Sequence, residues 1–360
     1  MTEKNIMVLT ARSEGPLEVQ CKDIIDQIEN PLTTLGIVFF HDAGNLEEYL
    51  EKDRILQEVC KEYLGEDKPL VSFVAQAPVD GRLTAEVFSI KGAGEIECNG
   101  DYLLVVTPEG TELISQGIHY PHEGDIGQQS AKVFSRIKEI LDAEGFAPSD
   151  IVRQWNYIEN ITKVDDGLQN YQMFNDARSE FYKDADWSRG YPAATGIGCS
   201  AGGVMVSIYA VKDNSVESKP IDNPLQVPAH KYSGKVLEAG RQEVRTTPKF
   251  ERARLLGDTV FVSGTAAIKG ENSEFSKDAK VQSESLIDVV EHLVAPENIA
   301  SGCKRFGFEM VRVYVKYPGD TSVIKECLEN HWKGVPMHFL FADICRPELL
   351  LELEGIGKAV

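Results

Sequence analysis

The sequence has no run of apolar residues approaching the ~18 that a helical membrane crossing requires. Its opening, MTEKNIMVLTARSEG, sets no basic segment ahead of an apolar core, as an export signal does. A cytoplasmic location and no membrane partner are therefore expected. Basic residues are scarce: 37 Lys and Arg stand against 57 Asp and Glu, a formal charge of −20, and no Lys/Arg run interrupts the acidity. Binding nucleic acid draws on a basic face that releases condensed counterions, so this balance argues against a nucleic-acid partner. An anionic substrate would need a local basic pocket to overcome the same background, which makes any arginine among apolar residues informative. The seven cysteines, Cys21, Cys60, Cys98, Cys199, Cys303, Cys327 and Cys345, form no CxxC pair and no cluster with histidine at zinc spacing. They read as free thiols in a reducing compartment. What remains is ordinary for a globular protein: 360 residues, 42% hydrophobic and 26% charged, enough for one large core or two to three small ones.

Self-comparison shows one unit used repeatedly. Around residue 100 the chain reads NGDYLLVV, followed by a Gly-rich turn region and then QQSAKVFSRIKEILDAEGF, where Val133, Phe134, Ile137, Ile140 and Leu141 recur at helical spacing. A strand (VRQWNYIENI), a second helix (LQNYQMFNDARSEFY) and two closing strands (YPAATGIG and GGVMVSIYAV) come next. From residue 257 the same order returns as GDTVFVSG, KVQSESLIDVVEHLV, EMVRVYVKYPGD, TSVIKECLENHW, PMHFLFADIC and LLLELEGI. A shortened copy opens the chain as LGIVFFHDAGN, LEEYLEKDRILQEVCKEYL, PLVSFVAQAP and RLTAEVFSI, with its leading hairpin and first helix expected to be missing. The proline opening the penultimate strand and the fourth position of the last strand form the pairs Pro69 and Glu86, Pro192 and Ser207, and Pro336 and Glu352. Each copy reads as a β-β-α-β-α-β-β unit or part of one, a mixed sheet packed on two helices, and the class is α+β. The expected divisions are a truncated unit at 1–95, a middle unit at 96–212, a proline-rich connector at 213–247 and a last unit at 248–360.

Few positions stand out chemically. In RPELLLELEGIG, Leu349, Leu351 and Leu353 alternate with Leu350, Glu352 and Glu354, the period of a strand with unlike faces. Glu352 is either on the wet side of a sheet or a carboxyl sheltered by a neighbouring copy, where burial raises its pKa toward the range of a general acid. The middle copy has Ser207 at that place, so the fold itself does not demand a carboxylate. Along LQNYQMFNDARSEFY, Tyr171, Phe174, Arg178 and Phe181 follow helical spacing, which sets Arg178 on or beside the apolar stripe. That arginine has two readings: an anion site, or a guanidinium paired with a core acid or with its head in water. GIGCSAGG is rich in glycine but lacks the GK[ST] ending of a phosphate loop and joins two strands, so it reads as a turn.

The closing unit, through FERARLLGDTVFVSGTA, RVYVKYPGD and LLLELEGI, resembles the Rid (YjgF-like, chorismate-mutase-like) domain. That family forms trimers with ligand clefts at the subunit interfaces, and three tandem copies imply a trimer written as a monomer. Together with WNYIENI, LQNYQMFNDAR, YPAATGIG, NPLQVPAHKY and ADICRPELLLELE, the chain is similar to the chorismatases, enzymes that hydrolyse chorismate. The resemblance runs over roughly 100–360 and is most specific over 155–198 and 339–354. It implies Glu352 as catalytic acid/base, and Arg252, Arg178, Tyr232, Lys235 and Tyr157 around the anionic substrate. Tyr232 matches a family tyrosine followed two residues later by arginine; here that place is Gly234 with Lys235 next, and lysine lacks the bidentate fork. Cys345 and Ala266 lie where the family's product is decided. Cysteine resembles the branch making 3-hydroxybenzoate, whereas Ala266 fits the branch releasing a dihydroxycyclohexadiene carboxylate. No metal or redox cofactor is implied. Two alternatives stand beside this: a Rid-like enamine/imine deaminase, against which Val71, Ala194 and Met337 occupy the neighbourhood of that family's arginine, and a non-catalytic sensor of small aromatic acids.

Overall fold

The computed structural model describes residues 3–65, 69–165, 167–213, 215–234, 246–274 and 276–360. The first stretch of chain runs β1 (Glu3–Thr10), α1 (Leu17–Ile25), β2 (Thr34–His41), α2 (Leu46–Leu64), β3 (Leu70–Ala75) and β4 (Thr84–Lys91). The second runs β5 (Ile96–Cys98), β6 (Tyr102–Thr107), β7 (Gly110–His119), α3 (Ile126–Ala143), β8 (Ile151–Glu159), the two-residue ladder β9 (Val164–Asp165) with β10 (Leu168–Gln169), α4 (Asn170–Tyr182), β11 (Ala193–Cys199) and β12 (Val204–Lys212). The third holds β13 (Ser218–Ile221), β14 (Ala253–Leu256), β15 (Thr259–Ala266), the short pair β16 (Ile268–Lys269) and β17 (Asn272–Ser273), α5 (Ala279–Leu293) and α6 (Pro296–Ile299). It ends with β18 (Phe306–Val315), α7 (Thr321–His331), β19 (Met337–Phe341) and β20 (Leu351–Ala359).

The three sheets repeat one strand order. Written from the penultimate strand outward, they are β3-β2-β4-β1, β11-β8-β12-β7-β6-β5 and β19-β18-β20-β15-β14-β13. In each, the pair joined through a helical crossover is parallel (β2 with β3, β8 with β11, β18 with β19) and the remaining pairs are antiparallel. These are three α+β units of one design, and the second and third share the order β-β-α-β-α-β-β in their main elements. Helix formation follows local chemistry: Asp125 and Gln128 close a capping box at the start of α3, and its apolar positions, Val133, Phe134, Ile137, Ile140 and Leu141, are buried as the spacing requires.

Two expectations change. The first unit retains one strand of its hairpin, β1, and a nine-residue first helix, α1, which opens after Pro16. None of the strand's residues from Glu3 to Thr10 is fully buried, so the apolar period that marks a strand is faint there. The expected connector also contributes β13, which pairs with β14 and extends the third sheet, although its own composition is proline-rich.

The units close a ring, a pseudo-trimer within one chain. Gln116 Nε2 of the second unit donates to Ile37 O of the first at 2.8 Å, Ala194 N of the second donates to Ser263 Oγ of the third at 2.9 Å, and Phe341 N of the third donates to Ala77 O of the first at 2.8 Å. Tyr157, Ile197, Tyr314 and Leu340 from the later units pack into one apolar cluster with Phe39, Phe40 and Phe73 of the first. Among the described residues no helix is long and apolar enough to cross a membrane.

Candidate active site

The terminal strand β20 organises the site. Alternation places Glu352, Glu354, Ile356 and Lys358 on one of its faces. Glu352 stands opposite Ala266 on β15 and Tyr314 on β18, and Glu354 stands opposite Arg312 on β18. Both carboxyls are buried, at 4% and 3% exposure, so the wet-side reading of this face is wrong: it turns inward, toward the other units.

The two glutamates are treated differently. Glu354 Oε1 lies 2.5 Å from Arg312 Nη1 and accepts from Tyr314 OH at 3.0 Å, while its Oε2 takes Arg153 Nη2 and Thr195 Oγ1. Arg312 also holds Glu86 of the first unit, donating from Nε to Oε1 at 2.7 Å, and donates to Tyr157 OH at 2.8 Å. His338 Nδ1 lies 2.8 Å from the same Glu86 oxygen. Glu352, by contrast, has no hydrogen-bond or ion-pair partner among the described residues. Burial pushes its carboxyl up to about 8; Glu354 pushes the same way, and Arg153 and Arg252 pull against it. Two carboxyls on one strand face are thus driven apart in role, a fixed carboxylate and a protonated acid at neutral pH. Room for the acid comes from Gly264, at a register shift in β15, where a Cβ would fall inside contact distance of Glu352 Oε1.

Cations approach from the loop preceding β14 and from α4. Arg252 is buried, donates from Nη2 to Val227 O at 2.7 Å and Tyr232 OH at 2.6 Å, and leaves Nε without an acceptor. Arg346 stacks its guanidinium 5.3 Å from the centre of the Tyr232 ring. Arg178 is buried on α4; Nη2 donates to Asn175 Oδ1 at 2.5 Å, Nε has no acceptor, and no carboxylate pairs with it among the described residues. Among the described residues, the core salt-bridge reading of Arg178 finds no acid to support it. Lys249 lies near enough that, after burial, Arg178 is what lowers its pKa. The phenol of Tyr171 links these groups: burial raises its pKa, Cys345 and Glu352 add to the rise, and Arg178 opposes it.

Of the candidate residues, Glu352, Arg252, Tyr232, Ala266 and Cys345 fall in one neighbourhood, with Arg178 reaching it past Tyr171. Ala266 is buried directly across from Glu352, and burial, then Glu352, pushes the Cys345 thiol up to about 12. Tyr157 goes elsewhere: β8 presents it to the Arg312 cluster rather than to Glu352. Lys235 lies outside the described residues. The sequence reading missed Arg153, Arg312, Thr195, Tyr171 and Lys249. A signal for the first two was present, since VR recurs in the same strand of both complete copies, at Val152-Arg153 and Val311-Arg312. Among the described residues no three His, Cys, Asp or Glu side chains gather as a metal site requires.

Residues 94–210 match the family model described as chorismatase FkbO/Hyg5-like, N-terminal. A 3-hydroxybenzoate synthase of Streptomyces hygroscopicus is 28% identical over 270 residues, spanning 67% of this chain and 76% of that protein. A chorismatase of Streptomyces rapamycinicus is 29% identical over 254 residues, spanning 66% and 72%. The crystal structure of a chorismatase, 21% identical, superposes with a TM-score of 0.73 over 99% of this chain and 98% of that one, a likeness of fold.

Proposed function

We propose, on the premise that the chain is a chorismatase-like enzyme built on Rid-like units, that it cleaves the enol ether of chorismate to release pyruvate and 3-hydroxybenzoate. The observation that carries this reading is the buried Glu352 carboxyl, pushed up to about 8, without a hydrogen-bond or ion-pair partner among the described residues and with Arg252 close enough to act on it. Enol-ether cleavage is limited by protonation of the methylene carbon, so the reaction needs an acid that is still protonated at neutral pH and is kept from bulk water. Glu352 gives its proton to that carbon, and the oxocarbenium ion formed is shielded by the neighbouring carboxylate Glu354. Attack of water on that ion gives a hemiketal, which returns a proton to Glu352 and collapses with breakage of its C–O bond to the ring oxygen, freeing pyruvate; loss of a ring proton and the neighbouring hydroxyl as water then aromatises the ring to 3-hydroxybenzoate. Release of 3-hydroxybenzoate consumes no net water, because the aromatising ring expels the equivalent of the one that hydrolysis takes up.

The substrate's two carboxylates fall to cations whose hydrogen-bonding capacity is unspent: Arg252 through Nε on one side and Arg178, with Lys249, on the other. Tyr232 holds Arg252 in place, and Tyr171 lies close enough to both Glu352 and Arg178 to feel their charge. The half-buried thiol of Cys345, beside Glu352, supports the 3-hydroxybenzoate branch: burial and Glu352 hold it protonated, so it does not compete as a nucleophile for the oxocarbenium ion. An imine-deaminating site is not favoured, because the buried arginines of the sheets, Arg153 and Arg312, are committed to Glu354 and Glu86.

Purified protein incubated with chorismate is expected to form pyruvate, followed by coupled reduction, and 3-hydroxybenzoate, identified by mass spectrometry. Glu352→Gln is expected to lower kcat by ~10²–10⁴-fold, the usual worth of a positioned acid. Absence of pyruvate above background, or full activity in the glutamine variant, rejects the proposal; a dihydroxycyclohexadiene acid in place of 3-hydroxybenzoate rejects only the assigned branch.

A further inference from the structure

Beyond Glu352 and Glu354, the same face of β20 continues as Ile356 and Lys358, and those two residues line a cavity of 360 Å³ that does not include Glu352. Its walls come from all three units: Ile6, Val38 and Phe88 from the first, Trp155 and Tyr209 from the second, Phe261 from the third. The cavity therefore lies where the three sheets face one another. It runs inward from Asp258 and Lys358, which are solvent-accessible, to the buried Glu86, Tyr157 and Arg312. Along β20, Glu354 with its two arginines separates this space from Glu352, so it is not the proposed reaction groove.

The size suits a small organic molecule, since ligand sites commonly enclose 300–1,000 Å³ behind mostly apolar walls with a few polar groups. Charge selects which kind. Five carboxylates line the cavity, Glu86, Glu109, Glu112, Asp258 and Glu309, against three cations, Lys4, Arg312 and Lys358. Each cation is already engaged: Lys4 with Glu112 at 2.5 Å, Lys358 with Asp258 at 2.7 Å, and Arg312 with Glu86 and Glu354. Among the described residues, an anion entering here would meet more carboxylates than cations and no unspent positive group. Glu112, only 3% exposed, gives Oε1 to Lys4 and keeps Oε2 without a hydrogen bond, an unmet acceptor in a low-dielectric setting. Aromatic faces complete the requirement for a cation: Lys4 Nζ already lies 5.2 Å from the Tyr209 ring centre.

We infer that this central cavity binds a small organic ammonium ion, its charged head directed to Glu112 and Tyr209 and its aromatic or alkyl body enclosed by Val38, Phe88, Trp155 and Phe261. The site is independent of the reaction assigned to Glu352 and takes a ligand of opposite charge.

Isothermal titration calorimetry of the full chain tests it with 2-phenylethylamine and with 3-phenylpropionate, nearly the same body carrying the opposite charge. The amine is expected to bind saturably, one per chain, and the acid at least tenfold more weakly. Val38→Phe and Ile6→Phe each enlarge a half-buried side chain that faces the empty space, and either one, if it melts like the wild type, should abolish amine binding. Glu112→Gln is expected to weaken the amine at least fivefold, and saturating chorismate should leave amine binding unchanged. The inference is overturned if the wild type takes up no amine at millimolar concentration, binds the acid equally well, binds the amine unchanged in a folded filled variant or in Glu112→Gln, or loses the amine to chorismate.

Discussion

At the scale of single residues, the contrast between Glu352 and Glu354 shows how environment divides labour between identical side chains. Both are buried on one face of β20, but Glu354 is clasped by Arg153 and Arg312 whereas Glu352 has only the more distant field of Arg153 and Arg252. The acid form of Glu352 is the reactive one in the proposed chemistry, so kcat/KM should be level below pH ~8 and fall about tenfold per unit above it. The same shift has a thermodynamic sign. A carboxyl at about 8 in the folded chain and 4.5 in the unfolded chain stays protonated on folding, so its contribution is fully present below 4.5 and is lost as pH rises toward 8. The loss amounts to about 1.4 kcal/mol per pH unit within that window. Glu352→Gln has no such titration, so its melting temperature should gain on that of the wild type steadily from pH 5 to pH 8 and then hold its lead. Thermal melts at unit pH steps check this; parallel curves for the two proteins would mean the carboxyl titrates normally.

At the scale of elements, the shift of register in β15 matters more than any one of its side chains. Between Val262 and Thr265 the strand slips against β20, and Gly264, at the slip, presents no side chain to the Glu352 carboxyl on one side and Thr195 on the other. Gly264→Ala is expected to displace the carboxyl and reduce kcat at least tenfold, with an overpacking cost of ~1–3 kcal/mol. Gly307→Ala, the same chemical change in β18 where nothing lies within 4 Å, should leave both rate and stability close to the wild type. Steady-state kinetics and denaturant melts of the pair separate a local steric effect from a general glycine effect. This element also marks the limit of what the sequence discloses. Helices α3 and α5 and the repeated strand order were legible because their apolar residues recur with a clear period and are in fact buried. Helix α1 was not, since four buried residues in nine after a proline make too short a pattern to register. Glu352 was legible through alternation and resemblance. The pairing of Arg153 with Glu354 was not, because it joins residues from different units that only the closed ring brings together.

At the scale of the whole molecule, the three copies of one unit carry serine once and glutamate twice at one position, and each side chain serves the ring in its own way. Ser207 accepts Gly117 N at 3.0 Å within the second unit, Glu352 has no partner among the described residues, and Glu86 is consumed at the seam between the first and third units. Burial alone would raise the Glu86 carboxyl, but Arg312 and His338 outweigh it and hold the group at about 2. A carboxyl depressed from 4.5 to about 2 contributes stability that is present above 4.5 and disappears as pH falls through 2, roughly 3 kcal/mol in all. Removing the charge while keeping the shape, as in Glu86→Gln, leaves Arg312 with Glu354 as its remaining carboxylate and should cost ~3–5 kcal/mol at neutral pH, as breaking a buried pair commonly does. The cost is expected to shrink as pH drops below 4.5, since the unfolded carboxyl then takes up a proton while the folded one keeps its charge down to about 2. Urea unfolding of both proteins at pH 7 and pH 3 measures the two gaps. If the difference at pH 3 equals that at pH 7, the seam is held by the apolar contacts of Phe40, Tyr157 and Tyr314 alone, and the ion pair only fills the space they leave. If it narrows, the position that supplies an acid in the third unit supplies a clamp in the first.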